Sequence, residues 1–520
     1  MPERTTVRVR TETVRVPRRD GVALAADVHL PASGGPFPVL VMRLPYDRAV
    51  AQSYWYAPPQ WYAQRGYAVV VEDMRGRCGS GGVFAPLVHE AADGEDLVSW
   101  VLDQPWCDGA IGMYGYSYAA YAQLLAATSD VADRIGAVAP ALAFTSLGEG
   151  CLRSAGATAA GFLLTWAEQL GGLRLPDASL PDLVARPLAS FAPGIVDEHR
   201  DWVSAWLRED AADPYWDGLP RPDYGRLRAK TLFFGGWYDT FRRDAFAHRA
   251  AAVRAGASAG LVVGPWSHTP YESAMLGEPI RPSARSWNVD LAQLRLFDAA
   301  LRGEGEAPTG VRLAIMNSDS AWEADQWPPA HRVQRVRWLS ATGDDLVLAD
   351  EPPTRIDADM LRADPARQVI ASGGDDCGDP TRQGMGAALQ GAVEAHPDVL
   401  VYTGRPVARE TTLVGEAAVE LHVECEGPAQ LWIARLALVL DDERSVNLVE
   451  GVLRTGLDAG VHRVRVELGE LAVRLQPGQR LRLHLAGTCA PRWAPVPRPT
   501  VARVLRGPET PSRLVLDVAA

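Results

Sequence analysis

Between residues 20 and 140, short apolar runs alternate with stretches of helical periodicity, the pattern of a mainly parallel sheet whose strands are joined by crossover helices. Pro38–Met42 and Tyr67–Glu72 are apolar enough for strands buried on both faces. Ala91–Leu102 reads as a helix, Ile111–Tyr114 as a strand, Tyr118–Thr128 as a helix and Gly136–Pro140 as a further strand. The strand signal then stops. Thr158–Leu170 and Leu180–Leu207 carry helical spacing broken by Pro and Gly, so 144–225 is expected to be a helical insertion. Alternation resumes with Thr231–Phe234, a helix near Arg243–Arg254, Leu261–Val263 and a helix over Val289–Leu301, so two separated stretches build one sheet.

After about 345 the chain changes to short alternating strands such as Val464–Leu468 and Arg480–Leu485, each with one wet face and one core face. The expected division is an α/β domain made of 1–143 and 226–345, a helical insertion over 144–225, and an antiparallel sandwich or jelly roll over 346–520. At 520 residues the chain has length for roughly three such units.

Charge narrows the partners. The net charge of -12 repels phosphate backbones and argues against nucleic acid. Lys230 is the one lysine, and it has no glycine loop before it, which excludes a GxxxxGK[ST] phosphate-binding loop. Cys78, Cys107, Cys151, Cys377, Cys425 and Cys489 are scattered without metal-ligand spacing and read as reduced, mostly buried thiols. No apolar leader opens the sequence and no apolar run is long enough to span a bilayer, so no membrane partner and a cytoplasmic location are expected.

The strongest chemical signal is Ile111-Gly-Met-Tyr-Gly-Tyr-Ser-Tyr-Ala-Ala120, an apolar strand, a Gly-Tyr-Ser-Tyr-Ala turn and an alanine-rich helix. A serine on such a strand-to-helix turn projects its hydroxyl above the sheet, and the turn needs small residues two places either side. Gly115 and Ala119 fill those places, alanine standing where the usual motif has glycine. Gly256-Ala-Ser-Ala-Gly260 matches GxSxG letter for letter, but it follows a helix and precedes a strand, so Ser258 is rejected as nucleophile.

Serine needs a base, and the base needs an acid that fixes its tautomer. In this architecture the chain order is Ser, Asp or Glu, then His, each just past a strand. Asp239 follows Thr231–Phe234 and His268 follows Leu261–Val263, 29 residues apart, which is room for a loop, a helix and a strand. The other nine histidines are controls: His199 and His248 fall in helical runs, His422, His462 and His484 in C-terminal strands, and His29, His89, His331 and His396 after no strand of the resumed sheet. Ser117, Asp239 and His268 are therefore the candidate triad.

With these residues in view, the chain resembles the cocaine esterase group of the Xaa-Pro dipeptidyl-peptidase-like serine hydrolases. The resemblance is carried by Asp20–Asp47, Asp73-Met-Arg-Gly-Arg-Cys-Gly-Ser80, Trp106–Tyr118, Gly235-Gly-Trp-Tyr-Asp239 and Gly264-Pro-Trp-Ser-His268. It implies an α/β-hydrolase domain with an inserted cap and a C-terminal jelly roll. It also implies Ser117 as nucleophile, His268 as base, Asp239 as its partner, and an oxyanion hole made by the Tyr118 backbone N–H and the Tyr46 hydroxyl. Tyr46 has independent support, because Pro45-Tyr46 follows the first apolar strand and so reaches the same sheet edge. Asp73 and Arg75 match a family motif and read as loop-fixing ions.

Relatives that cleave α-amino acid esters carry acidic residues just after the triad aspartate, where this chain has Phe241 and Arg242. The resemblance therefore favours an ester with an apolar acyl group, aromatic or short aliphatic, and Trp166, Phe162 and Phe241 are the candidates to line its pocket. The expected partner is a small-molecule ester or amide, with no cofactor. A peptidase or amidase, and an acyltransferase of secondary metabolism, use the same triad; an inert hydrolase domain beside a carbohydrate-binding sandwich is the reading from another class.

Overall fold

The computed structural model describes residues 8–50, 57–208, 210–268, 287–375, 385–425 and 427–520, and Cys377 lies outside them. Ten strands build the first sheet: β1 (Val9–Pro17), β2 (Ala23–Pro31), β3 (Phe37–Leu44), β4 (Ala68–Asp73), β5 (Cys107–Tyr116), β6 (Ile135–Ala141), β7 (Lys230–Tyr238), β8 (Ala259–Ser267), β9 (Val311–Ala314) and β10 (Ala321–Ala324). Their order is β1-β2-β4-β3-β5-β6-β7-β8-β9-β10. The pairs from β4 through β9 are parallel, and β1, β2 and β10 flank them antiparallel. Nearly every residue of β3 and β4 is buried, which is why both read as unbroken apolar runs.

Helices α1 (Glu90–Leu102), α2 (Tyr118–Ala127), α3 (Ala160–Gly171), α4 (Arg242–Arg254) and α5 (Val289–Phe297) follow or connect these strands. All ten residues of α2 are buried. Its alanines let it lie close to the sheet while its tyrosines and leucines fill the space around it. Between β6 and β7 the chain leaves the sheet to form α3, the helix Arg200–Leu207 and several shorter turns. The apolar side chains of this cap share one core with Tyr118, Tyr121 and Leu125 of α2, so the cap packs along one face of that helix.

The C-terminal unit is all-β, an eleven-stranded set in which every pair is antiparallel except Asp345–Ala349 with Leu400–Gly404. Its first strand, Arg332–Thr342, pairs with Arg513–Ala519, so the chain passes from one sheet to the other between Ala324 and Arg332 rather than at the 345/346 boundary read from the sequence. The strand opens Arg-Val-Gln-Arg and is largely solvent-facing, so it carries no strong apolar signature of its own. Val9–Pro17, another mostly exposed strand, escapes the sequence reading for the same reason.

Arg242 fastens the two units together: its buried guanidinium donates to the carbonyl oxygens of Leu468, at 2.8 Å, and Glu470. Tyr238 donates its hydroxyl to the Asn447 carbonyl at 3.1 Å. Among the described residues no helix is long and apolar enough to cross a membrane. Of the five described cysteines, all free, Cys151, Cys425 and Cys489 are buried, Cys107 is half-buried and Cys78 is exposed.

Candidate active site

Strand β5 ends at Tyr116 and α2 begins at Tyr118, which leaves Ser117 alone in the turn at φ 57°, ψ −124°. A positive φ costs a non-glycine residue steric strain, and the surrounding core holds it there. The sequence motif has a direct steric reading. A methyl group added to Gly115 would lie 2.8 Å from the Ala119 Cβ, so glycine at the first place makes room for the alanine at the second.

His268 and Asp239 arrive from β8 and β7, neighbouring parallel strands held so close that a Cβ on Gly236 would lie 2.4 Å from the Trp266 carbonyl oxygen. The His268 Nε2 lies 3.0 Å from the Ser117 Oγ, and its Nδ1 lies 2.9 Å from the Asp239 Oδ1. Asp239 is fully buried and accepts a further bond, 3.1 Å, from the Phe241 N–H. A carboxylate only accepts, so the hydrogen bond to Asp239 calls for a proton on Nδ1, and Nε2 faces the Ser117 hydroxyl. Ser258, by contrast, lies in the turn between α4 and β8, where its carbonyl accepts from the Thr231 N–H.

Tyr118 is the first residue of α2, where a backbone N–H has no acceptor within its own helix. Its side chain points elsewhere: the hydroxyl donates to the Glu90 carboxylate and accepts from the Leu87 N–H at 2.7 Å, and burial pushes its pKa well above the usual range. Tyr46, half-buried, accepts a 3.0 Å hydrogen bond at its hydroxyl from the Trp166 indole N–H.

Phe162, Trp166 and Phe241 come together, Phe162 stacking on Trp166 at 5.0 Å and meeting Phe241 at 6.2 Å. Phe144 and Trp206 complete the cluster, 6.4 and 5.3 Å from Trp166. The sequence reading missed both. Phe144 was accessible to the rule that found Asp239 and His268, since it stands three residues past a parallel strand; Trp206, on a cap helix, has no such signal.

Around the site, charges fix loops. Asp73 accepts from the Arg48 N–H, the Arg48 guanidinium and the Gly79 N–H, and Arg75 pairs with Asp93 and Asp20. Asp47, Asp73 and Cys78 form the one group among the described residues with donor atoms close enough for a metal ion, and Asp73 is already committed to these hydrogen bonds. On α4, burial pushes Asp244 up to about 7 and His248 down to about 4. Asp244 accepts the Thr145 N–H at 2.7 Å, and His248 faces the Phe144 carbonyl and the Tyr224 hydroxyl.

Comparison with known proteins matches residues 20–270 to the X-Pro dipeptidyl-peptidase (S15) family and 305–515 to the X-Pro dipeptidyl-peptidase C-terminal non-catalytic domain. The chain is 29% identical to the cocaine esterase of Rhodococcus sp. (strain MB1 Bresler), over 97% of this chain and 98% of that one. An α-amino acid ester hydrolase shares its fold with a TM-score of 0.83 at 20% identity, over 100% of this chain and 98% of that one. A CocE/NonD family hydrolase from Staphylococcus aureus does so with a TM-score of 0.73 at 16% identity, over 98% and 94%. Residues 20–270 thus belong with the X-Pro dipeptidyl-peptidase (S15) family of serine hydrolases, and residues 305–515 with the C-terminal non-catalytic domain of the X-Pro dipeptidyl-peptidases.

Proposed function

We propose that this protein is a serine esterase acting on carboxylic esters with a neutral apolar acyl group, aromatic or short aliphatic. The observation that carries the reading is the unbroken hydrogen-bond line from Asp239 through His268 to Ser117 at a strand-to-helix turn. Ser117 Oγ attacks the ester carbonyl while His268 Nε2 takes its proton, and Asp239 stabilises the imidazolium. The carbonyl oxygen, now negative, is held by the Tyr118 N–H and the Tyr46 O–H. Collapse breaks the bond to the alkoxy oxygen, which leaves as the alcohol with the proton from His268. Water then gives a proton to His268, attacks the acyl-enzyme and releases the acid, and Ser117 recovers its proton.

The acyl preference rests on Phe241, whose ring occupies the neighbourhood of His268. The places just after Asp239 hold Phe241 and Arg242 rather than carboxylates that could receive a substrate ammonium, and Arg242 turns away into the β-sandwich. The test is turnover of benzoyl and butyryl esters by the purified protein, with products analysed in the presence and absence of an added alcohol. Free acid in both conditions, lost in Ser117→Ala, supports the esterase; acyl transfer to the alcohol as the dominant product identifies an acyltransferase instead.

A further inference from the structure

Arg77 lies in the loop after β4, inside the Asp73–Ser80 motif, with its side chain half-buried. Its guanidinium makes two hydrogen bonds that join distant parts of the chain: Nε donates to the Pro45 carbonyl at 2.7 Å and Nη1 to the Leu170 carbonyl at 2.9 Å. The same group lies 5.2 Å from the centroid of the Phe84 ring. Pro45 is the residue before Tyr46. Leu170 stands four residues after Trp166, one turn along the same face of α3.

Both contacts have a structural reason. Leu170 is in the last turn of α3, where carbonyls lack N–H donors within the helix. The Leu173 and Gly172 N–H groups serve Ala167 and Glu168, and Arg77 serves Leu170. A cation at a helix C-terminus also complements the helix dipole. The planar guanidinium holds its two carbonyls at a set separation and angle, which the single rotatable ammonium of a lysine does not. One side chain thus fixes the two segments whose own side chains meet in the Trp166–Tyr46 hydrogen bond.

We propose that Arg77 is a positioning residue for the oxyanion hole, tying the Pro45–Tyr46 segment to α3 so that Trp166 orients the Tyr46 hydroxyl toward the developing oxyanion. A hydroxyl that accepts the indole proton keeps its own O–H to donate, and the Trp166 contact restricts the direction in which it does so. Donors of this kind act by being in place before charge develops, so displacement falls on kcat. The proposal rests on the role given to Tyr46 above.

The test is a double-mutant cycle on a neutral ester, combining Arg77→Met, which keeps much of the stem volume, with Tyr46→Phe. With Tyr46 present, Arg77→Met should lower kcat about tenfold or more and move KM by less than about threefold. In the Tyr46→Phe background the same change should cost less than about twofold, because the donor it positions is gone. Equal losses in both backgrounds, or no loss with Tyr46 present, would overturn the proposal. A Tyr46→Phe variant that alone keeps full kcat would instead remove the assignment of Tyr46, and the role of Arg77 with it. If Arg77→Met does not fold, Arg77→Gln, which keeps one amide donor, carries the same cycle.

Discussion

The ring of Phe241 stands edge-on to the imidazole of His268, with centroids 5.1 Å apart and planes at 89°. A substrate ammonium brought to that place loses its water and gains no carboxylate, an expensive exchange in a buried site. Benzoate and butyrate esters should therefore show higher kcat/KM than phenylglycine or other α-amino esters with the same leaving group. Steady-state kinetics on matched pairs checks this, and faster turnover of the α-amino member would refute it.

Tyr46→Phe keeps the ring and removes the O–H. By analogy with deletion of single oxyanion-hole donors, kcat should fall roughly 10²- to 10³-fold, about 3 to 4 kcal/mol, with KM changing far less. The measurement is a full kinetic curve at unchanged circular dichroism and melting temperature. A kcat within about twofold of the parent would make this tyrosine structural only.

Arg242→Met should loosen the junction between the units while sparing the chemistry. Arg242 is 1% exposed, and its guanidinium serves two carbonyls of the strand Val461–Leu475 and pairs with Glu470 at 3.4 Å. Removing one partner of such a buried pair costs about 3 to 5 kcal/mol. Calorimetry should show a lower first transition and a wider gap between the unfolding of the two units, with kcat little changed in the protein that remains folded.

The buried pair of titratable groups on α4 makes opposing contributions to stability. Asp244 keeps its proton up to about pH 7 when folded, against 3.8 for an ordinary Asp, so its contribution is present below 3.8 and lost as pH rises to about 7. His248, held down to about 4 against 6.5, contributes fully above 6.5 and loses it as pH falls to about 4. The two slopes offset each other between about pH 4 and 6.5. Asp244→Asn, which retains the oxygen that accepts from Thr145, should uncover the histidine: its melting temperature should rise with pH across that window more steeply than the parent's. A melting profile parallel to the parent's would contradict this assignment.

What the sequence made legible was local. Ile111–Ala120 announces its turn because strand, glycine, serine and helix are consecutive, and Asp239 and His268 announce themselves by following apolar parallel strands. Phe162, Trp166 and Phe241 were reachable only through family resemblance. The contact of Trp166 with Tyr46 spans 120 residues, and that of Arg77 with Leu170 spans 93; no local periodicity encodes either, because each depends on how the cap settles on the sheet. The exposed strands Val9–Pro17 and Arg332–Thr342 were hidden for a different reason: strands at the margin of a core carry too few apolar residues to be read.

The central claim is that Ser117 is the nucleophile, activated by His268 and Asp239. Its most direct measurement is covalent labelling with a fluorophosphonate, followed by mass spectrometry of the labelled peptide, in the parent protein and in Ser117→Ala, Ser258→Ala and His268→Ala. The account predicts one label per chain, on Ser117, lost in Ser117→Ala, greatly slowed in His268→Ala and unchanged in Ser258→Ala. Label on Ser258, or labelling that persists in Ser117→Ala, would contradict it.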